Sequence, residues 1–399
     1  MDIIAEKLRI DPVELRRKNA LRRGDIAPIG NRLTTSVGTV AVLDGIRKTK
    51  LWQNREKYLV NDFKKPWIKK GFGIALTYQG TGLGVGLPDY GGAILKFCKN
   101  GGFEVGVGLV DYGQGIGTSY AQIAAEAMKC PIDKINVLLG DTDTTADSGP
   151  TSASRGVYTG GKAIIIAAER MIKILKSKAS EILGVSADNL TASDGCICAS
   201  NEPEKKVFYE EIASRFMNET CHLPQTEGYF LMPVADIKIK DAFGLPHNIF
   251  AFSAHLALIE VNTLTGQTKV LKGAEVIDAG DVINRQGLEG QSEGGFVMGM
   301  GYGLFENMIV EKGIFKTTNF STYIIPSIED APFEIETVTI VNPEETGPYR
   351  AKGVAETVMG GTAPAITNAI YNAVGVRIFK IPATSEVVYT LLKEKEKTE

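Results

Sequence analysis

Four glycine-rich segments, each written just where a helix would begin, constrain this chain more than any other feature. They are DYGQGIGTS from Asp111, GPTSASRGVYTGG from Gly149, EGQSEGG from Glu289 and AKGVAETVMGGTAP from Ala351. A helix N-terminus presents free N–H groups and a partial positive charge, and glycine lets a ligand approach that backbone closely. One such loop means little, since tight packing of a helix on a sheet is the commoner reason for it, by about two to one. Four in one chain suggest a large anionic ligand held by backbone and small hydroxyl groups. The first segment is not a dinucleotide fingerprint: Gly113 and Gly115 fit, but the third glycine position is Thr118. No Walker lysine follows any of the four.

Length and composition narrow the class. A chain of 399 residues is too long for one core, so two or more domains are expected. A net charge of -3 gives no reason to expect nucleic acid or an anionic membrane surface. The start reads as an amphipathic charged helix without the apolar stretch of a signal peptide. The longest apolar candidate, KAIIIAAERMIKIL, is interrupted by charges and cannot cross a bilayer. The cysteines are Cys98, Cys130, Cys196, Cys198 and Cys221. An odd count without a secretion signal predicts free thiols and a cytoplasmic location. His222, His247 and His255 have no ligand spacing, so neither zinc nor an iron–sulfur cluster is expected within this chain.

The local patterns read as α+β. Asp11, Pro12 and Glu14 form a helix start, and the helix is expected to reach about Leu21 with Gly24 as its stop. A second helix is expected from Thr39 to Tyr58. Asn100-Gly101 between alternating apolar residues predicts a hairpin. A helix from about Thr118 to Met128 follows, then the strand INVLLG. A polar loop from Asp141 to Gly161 feeds a long helix, Lys162 to Leu183. Residues 185–228 read as an irregular connecting region with one helix near Tyr209 to Phe216. Beyond it, AHLALIEVNTLTGQTKVLKGAEVIDAG reads as two strands around a Thr-Gly turn, followed by a Gly-rich helix from Gly290 to Asn307. Hairpin and Gly-rich helix start thus recur, which hints at an internal repeat of one α+β unit. The expected division is 1–184, 185–228, 229–392, and a charged, disordered tail over 393–399.

Taken in order, these segments resemble the molybdenum hydroxylases, the xanthine dehydrogenase and aldehyde oxidase family. GQG at Gly113 is similar to a pterin-binding motif of that family, and GDTDTTADSGPTSASRG at Gly140 to its Asp-Thr-rich loop. FGLPHNIFAFSAHLALIEVN at Phe243 resembles its F-G-x-P-H strand, GQSEGGFVMGMGYGLFE at Gly290 its G-Q-x-E-G-G segment, and GPYRAKGVAETVMGGTAPAITNAIYNAVGVRI at Gly347 its active-site loop and following helix. The resemblance covers nearly the whole chain. It implies an elongated, multi-domain molybdopterin-binding fold with repeated hairpin-plus-helix units, 1–184 and 229–392 being its two α+β regions.

The resemblance also implies roles. Glu356 matches the family's base; its plainer role is an acid complementing a helix dipole. Gln114, between Gly113 and Gly115, and Gln291 match glutamines that contact the pterin, and either could simply cap a helix. Thr151, Ser152, Ala153 and Ser154 match the loop between pterin and substrate, or else form a plain Ser/Thr turn. Arg155 resembles the arginine near the cofactor's dinucleotide extension, or else forms a surface salt bridge. The implied cofactor is molybdopterin in its cytosine dinucleotide form, with molybdenum held by the pterin dithiolene rather than by protein ligands. The implied activity is oxidative hydroxylation of a purine- or nicotinate-like N-heterocycle or an aldehyde, water supplying the oxygen. Glutamate suits the task if partial burial raises its pKa toward neutrality. Ala355 before Glu356 and TVMGG after it depart from the family pattern and leave the substrate open, a carbon monoxide dehydrogenase type included.

The family's N-terminal pterin motif, its substrate-loop residues, its flavin and its [2Fe-2S] portions have no counterpart in this sequence. The expected partners are therefore the missing N-terminal half of the molybdopterin subunit, an FAD subunit and an iron–sulfur subunit, assembled as a dimer of heteromers. Three readings stand: the medium subunit of a split enzyme of the nicotinate dehydrogenase kind, a truncated piece of a longer chain, or a non-catalytic scaffold.

Overall fold

In a computed structural model, which describes residues 1–235, 237, 239–241 and 243–398, with Ile239 by its backbone alone, both expected hairpins form and both grow into the same larger unit. The chain opens with α1 (Asp2–Leu8), α2 (Pro12–Lys18), α3 (Thr39–Ile46), α4 (Lys50–Gln53) and α5 (Arg55–Tyr58). Strand β1 (Ile68–Gly80) precedes the hairpin β2 (Tyr90–Phe97) and β3 (Phe103–Val107), then α6 (Ile116–Met128), β4 (Ile135–Leu139) and α7 (Gly161–Leu183). Next come β5 (Leu190–Ser193), β6 (Cys196–Ala199), β7 (Glu202–Phe208), α8 (Tyr209–Thr220) and β8 (Gln225–Leu231). The second hairpin is β9 (Phe250–Asn262) and β10 (Thr268–Asp278). It leads to α9 (Arg285–Leu304), the short pair β11 (Val310–Glu311) and β12 (Ile314–Phe315), β13 (Ile335–Ile340), α10 (Thr357–Gly360), α11 (Thr362–Val374) and α12 (Ser385–Thr398).

The repeat hinted at by the sequence is a ββαβα unit. In the first copy β2 and β3 pair antiparallel, α6 crosses over, β4 returns parallel to β3, and α7 packs on the sheet. In the second copy β9, β10, α9, β13 and α11 do the same, with β13 parallel to β10. Each sheet gains a fourth strand at the other edge, giving the orders β4-β3-β2-β8 and β1-β9-β10-β13. The linear division of the chain therefore does not follow its packing. β1, from the first stretch, pairs along its whole length with β9, from the second.

Burial explains why β9 reads as a nearly unbroken apolar run. Its even-numbered residues, Phe250 to Leu258, face a core shared with α2 and α3, while Ala257, Ile259 and Val261 face α9, α11 and α12. A strand covered on both faces needs no polar alternation. The first unit has its own core, in which Leu95, Val105 and Phe103 meet Ile123, Ala167 and Met171.

Several sequence expectations are corrected. The Asp11 carboxylate caps α2 as expected, accepting from the N–H groups of Val13 and Glu14, but the helix ends at Lys18, where the Asn19 amide donates to the Leu15 carbonyl. The single helix expected over Thr39 to Tyr58 is three, because the Thr49 hydroxyl donates to the Ile46 carbonyl and caps the next turn. Such side chains compete with helix bonds. Residues 185–228 are not irregular: β5, β6 and β7 form a meander whose first turn is Asp194-Gly195, both at positive φ, a strong hairpin pair. The tail is helical to Thr398, its last residue, Glu399, lying outside the described residues. Val388 and Leu392 dock α12 on the second core, and packing of that kind, more than propensity, stabilises a helix. Among the described residues no helix is long and apolar enough to cross a membrane.

Candidate active site

In open sheets with crossover helices, ligands gather where loops leave the carboxyl ends of the strands. Here both units place such loops at one point. The loops after β3, β4, β10 and β13 line a single cavity of about 620 Å³, within the usual range for a ligand site. The cavity brings together Gly113, Gln114, Thr151, Ser152, Ala153, Ser154, Arg155, Gln291 and Glu356, residues spread over most of the chain. Gly115 is not part of the lining; it is the left-handed N-cap of α6.

Glu356 stands at the N-cap of α10, but its side chain caps nothing. The carboxylate turns instead to two donors. The Ser154 hydroxyl donates to Glu356 Oε2 at 2.8 Å, and the Gln79 amide, at the end of β1, donates to the same oxygen at 3.2 Å. Glu356 Oε1 has no partner among the described residues. Ser154 Oγ also accepts from the Glu356 N–H at 3.1 Å. Glu356 is exposed; the partial burial expected of it is not supplied by this chain.

The loop carrying Ser154 is unusual backbone. Ala153 and Ser154 are both left-handed, at φ 54° and 51°, which costs about 1–2 kcal/mol per residue. The loop carrying Glu356 presses against it: a Cβ on Gly353 would lie 1.7 Å from the Ser154 carbonyl oxygen, so only glycine allows this approach. Thr151 closes the loop on the first segment, its hydroxyl accepting from the Val110 N–H at 2.8 Å and its carbonyl from the Tyr112 hydroxyl at 2.6 Å.

Arg155 differs from the plainer of its two sequence readings. It is fully buried, so it forms no surface salt bridge. Its guanidinium pairs with Asp89 at 2.7 Å and donates to the carbonyls of Pro150, Ser148 and Tyr90. Those donors are spent inside the fold, where they brace the strained loop.

Two of the four glycine-rich segments also behave differently from open anion sites. At the first, the Asp111 carboxylate already accepts from the N–H groups of Gly113 at 2.8 Å and Gly115 at 3.1 Å. Partial burial works against ionisation there, yet these N–H groups, with those of Gly117 and Ile116, hold the Asp111 carboxyl below its ordinary value. Gln114 folds back on the same loop, accepting from the Tyr112 N–H and donating to the Val110 carbonyl at 2.9 Å. At the third, residues 289–295 lie inside α9 rather than before it, because Asn284 caps the helix through the Gly287 N–H at 2.9 Å. Gln291 therefore projects from the second turn, half-buried, and its amide makes no hydrogen bond among the described residues. The hydroxyls of Ser119 and Ser152, also in the lining, are likewise without partners there.

A buried ion pair floors the cavity on the second unit's side. Lys352 Nζ lies 2.7 Å from Asp278 Oδ2, with both side chains wholly covered. Burial pushes the Asp278 carboxyl up and the Lys352 ammonium down, each opposed by the other's charge. Neither this pair nor Gln79 stood out in the sequence, since a lone lysine within a glycine-rich loop and a glutamine ending a strand have no diagnostic spacing.

A family profile described as a molybdopterin cofactor-binding domain matches residues 46–332, which takes in Gln114, Thr151 to Arg155 and Gln291 and stops short of Glu356. The chain is 30% identical to the xanthine dehydrogenase molybdenum-binding subunit of Escherichia coli O157:H7 over 393 residues, 98% of this chain and 50% of that protein. The aldehyde oxidoreductase structure from Desulfovibrio gigas superposes with a TM-score of 0.80 at 28% identity, over 98% of this chain and 40% of that one. Quinoline 2-oxidoreductase from Pseudomonas putida 86 superposes with a TM-score of 0.85, over 98% of this chain and 51% of that one, and at 23% identity this is a likeness of fold. The chain spans about half the length of the curated relatives it matches.

Proposed function

The chain belongs to the molybdopterin cofactor-binding family, and on that premise we propose that it forms the catalytic half of a molybdenum-dependent hydroxylase with Glu356 as its base. The observation that carries the reading is the convergence of Gln114, Thr151 to Ser154, Gln291 and Glu356 on one cavity. The substrate class is an N-heterocycle or an aldehyde, with water as the oxygen source.

The cavity fits the cofactor. It offers partnerless polar groups at Gln291, Ser119 and Ser152, and room beside Gly113, where a Cβ would meet nothing within 4 Å. When bound, the molybdenum cofactor supplies Lewis acidity and the two-electron oxidation. Gln291 would donate to and accept from its pterin, and the hydroxyls of the Ser119 and Ser152 side chains would add to that hold. Ser154 and Gln79 occupy Oε2 of Glu356, which orients the carboxylate and leaves Oε1 to take the proton from the attacking water-derived oxygen. The cofactor form proposed is the cytosine dinucleotide, with Arg155 in the cavity lining and its charge paired to Asp89.

The cover that Glu356 lacks falls to the other half of the relatives' length. Phe320, Ile328 and Phe333, 77%, 89% and 102% exposed, lie on the stretch between β12 and β13. Apolar exposure of this kind marks an interaction surface. Partners carrying flavin and iron–sulfur clusters would receive the electrons, in a cytoplasmic complex. A pure scaffold is the weaker reading, since Glu356 performs no capping or core role.

The test is to co-produce the chain with a polypeptide supplying the remaining half, purify the complex, and measure molybdenum and pterin against protein. Equimolar molybdenum with oxidation of at least one heterocycle or aldehyde supports the reading. An active preparation without molybdenum would remove it.

A further inference from the structure

The face of the β1-β9-β10-β13 sheet that turns toward α9 and α11 is apolar at Ala257, Ile259 and Val261, but beneath α10 it carries a buried polar row. Ser253 and His255 stand two residues apart on β9, and Glu275 is registered opposite His255 on β10. All three are fully buried. His255 Nδ1 lies 3.0 Å from Glu275 Oε1, and its Nε2 lies 2.8 Å from Ser253 Oγ. Ser253 Oγ donates to the Thr357 carbonyl at 2.9 Å. At the other end, Ser292 of α9 donates to Glu275 Oε2 at 2.8 Å and accepts from the Thr337 hydroxyl of β13 at 2.8 Å.

Counting protons orders the row. A serine hydroxyl has one proton, and that of Ser253 goes to the Thr357 carbonyl. Ser253 Oγ must then accept from His255, which assigns a proton to Nε2. The Thr362 hydroxyl also stands 3.3 Å from Nδ1, and a further proton shared by Nδ1 and Glu275 Oε1, 3.0 Å apart, would remove the repulsion of two facing lone pairs. Burial pushes the Glu275 carboxyl up, and whichever partner holds that proton, the pair carries no net charge. A polar row of this kind is not needed for stability, since apolar side chains of the same volume commonly serve as well or better. What it secures is one orientation of the Ser253 hydroxyl. The turn lies directly on the ring: a Cβ on Gly361 would stand 2.0 Å from His255 Cδ2.

We propose that Ser253 and His255 are positioning residues for Glu356, fixing the Thr357 carbonyl from below while Ser154 holds the Glu356 amide and carboxylate from above. This role rests on the reading of Glu356 as the base. His255 acts by holding the hydroxyl of Ser253, and Ser253 by holding the peptide that follows Glu356.

The test uses the full chain in its complex, with Ser253→Ala as the first variant. Two quantities are read: hydrogen exchange of the segment 354–361, and turnover per bound molybdenum. Exchange of that segment is expected to rise about tenfold with α7 unchanged. Turnover is expected to fall about tenfold with KM within about twofold, since small misplacements of a catalytic group are costly. Ser253→Thr, which restores the hydroxyl, recovers both. His255→Gln, which can still donate to Ser253 Oγ, falls between. In a Glu356→Gln background, Ser253→Ala still speeds exchange but leaves residual turnover unchanged. Unaltered exchange of 354–361 in Ser253→Ala, or turnover per molybdenum within about twofold of the parent, overturns the proposal. If Glu356→Gln itself keeps turnover, the base assignment fails and this proposal fails with it. If Glu356→Gln loses turnover while Ser253→Ala keeps it, the positioning role alone fails.

Discussion

Ser154 and Glu356, 202 residues apart in the chain, hold each other twice: the serine hydroxyl donates to Glu356 Oε2 at 2.8 Å and accepts from the Glu356 N–H at 3.1 Å. The loop of one ββαβα unit thereby aims the carboxylate carried by the other. The left-handed backbone of Ser154 and the bare Cα of Gly353 are what let the two loops approach.

Glu356→Gln keeps the size of the side chain and its contact with Ser154 but cannot accept a proton. Turnover is expected to fall by more than the ~10²–10⁴-fold typical of removing a general base, with molybdenum content unchanged. Steady-state oxidation of a substrate panel at matched metal loading checks this. Turnover within about threefold of the parent would sink the catalytic assignment.

Ser154→Ala removes the shorter of the two bonds to Oε2 and leaves Gln79 as the sole donor. The expected result is a kcat lower by about tenfold at nearly constant KM, the size of effect that loss of one orienting hydrogen bond produces. Ser154→Gly relieves the φ of 51° as well, so it should unfold later than Ser154→Ala while being no more active. Paired kinetics and thermal unfolding separate the two effects.

Arg155→Met strands the nearly buried Asp89 without its cation. Breaking a buried pair from one side costs about 3–5 kcal/mol, so the denaturation midpoint should drop sharply and cofactor retention with it. A midpoint equal to the parent's would contradict the stabilising role of the pair.

Glu344 supplies a pH dependence. Burial alone would raise its carboxyl, but bonds from the Thr346 and Ser36 hydroxyls at 2.6 and 2.7 Å, with both residues' N–H groups, hold it below the ordinary 4.5. A carboxyl depressed in the folded state contributes stability that is fully present above its unfolded value and is lost as pH falls through the folded one. Glu344→Gln should therefore cost about 1–3 kcal/mol at neutral pH, with the gap to the parent closing below pH 4.5. Urea unfolding across that range measures it, and a gap independent of pH contradicts it.

The chain produced alone is expected to aggregate and to lack activity, because Phe320, Ile328 and Phe333 stand uncovered. Light scattering of the chain alone and with its complementary half compares the two. A monodisperse, active chain on its own would overturn the expectation of a partner.

Much of this protein was legible in its sequence because the signals were local. Asn100-Gly101 specified one hairpin and Thr265-Gly266 the turn of another, Asp11 a cap, and the recurring hairpin-then-helix pattern the repeated unit. The motifs around Gln114, Thr151 to Arg155, Gln291 and Glu356 marked the residues that line the cavity. What tertiary structure alone decided is who meets whom. β1 joining the second sheet, Arg155 turning inward to Asp89 and Gln79 reaching Glu356 all depend on groups brought together over long separations. Periodicity and turn chemistry act over a few residues, whereas the partner that satisfies a buried charge or a free donor is set by whichever loop the packed sheets deliver beside it.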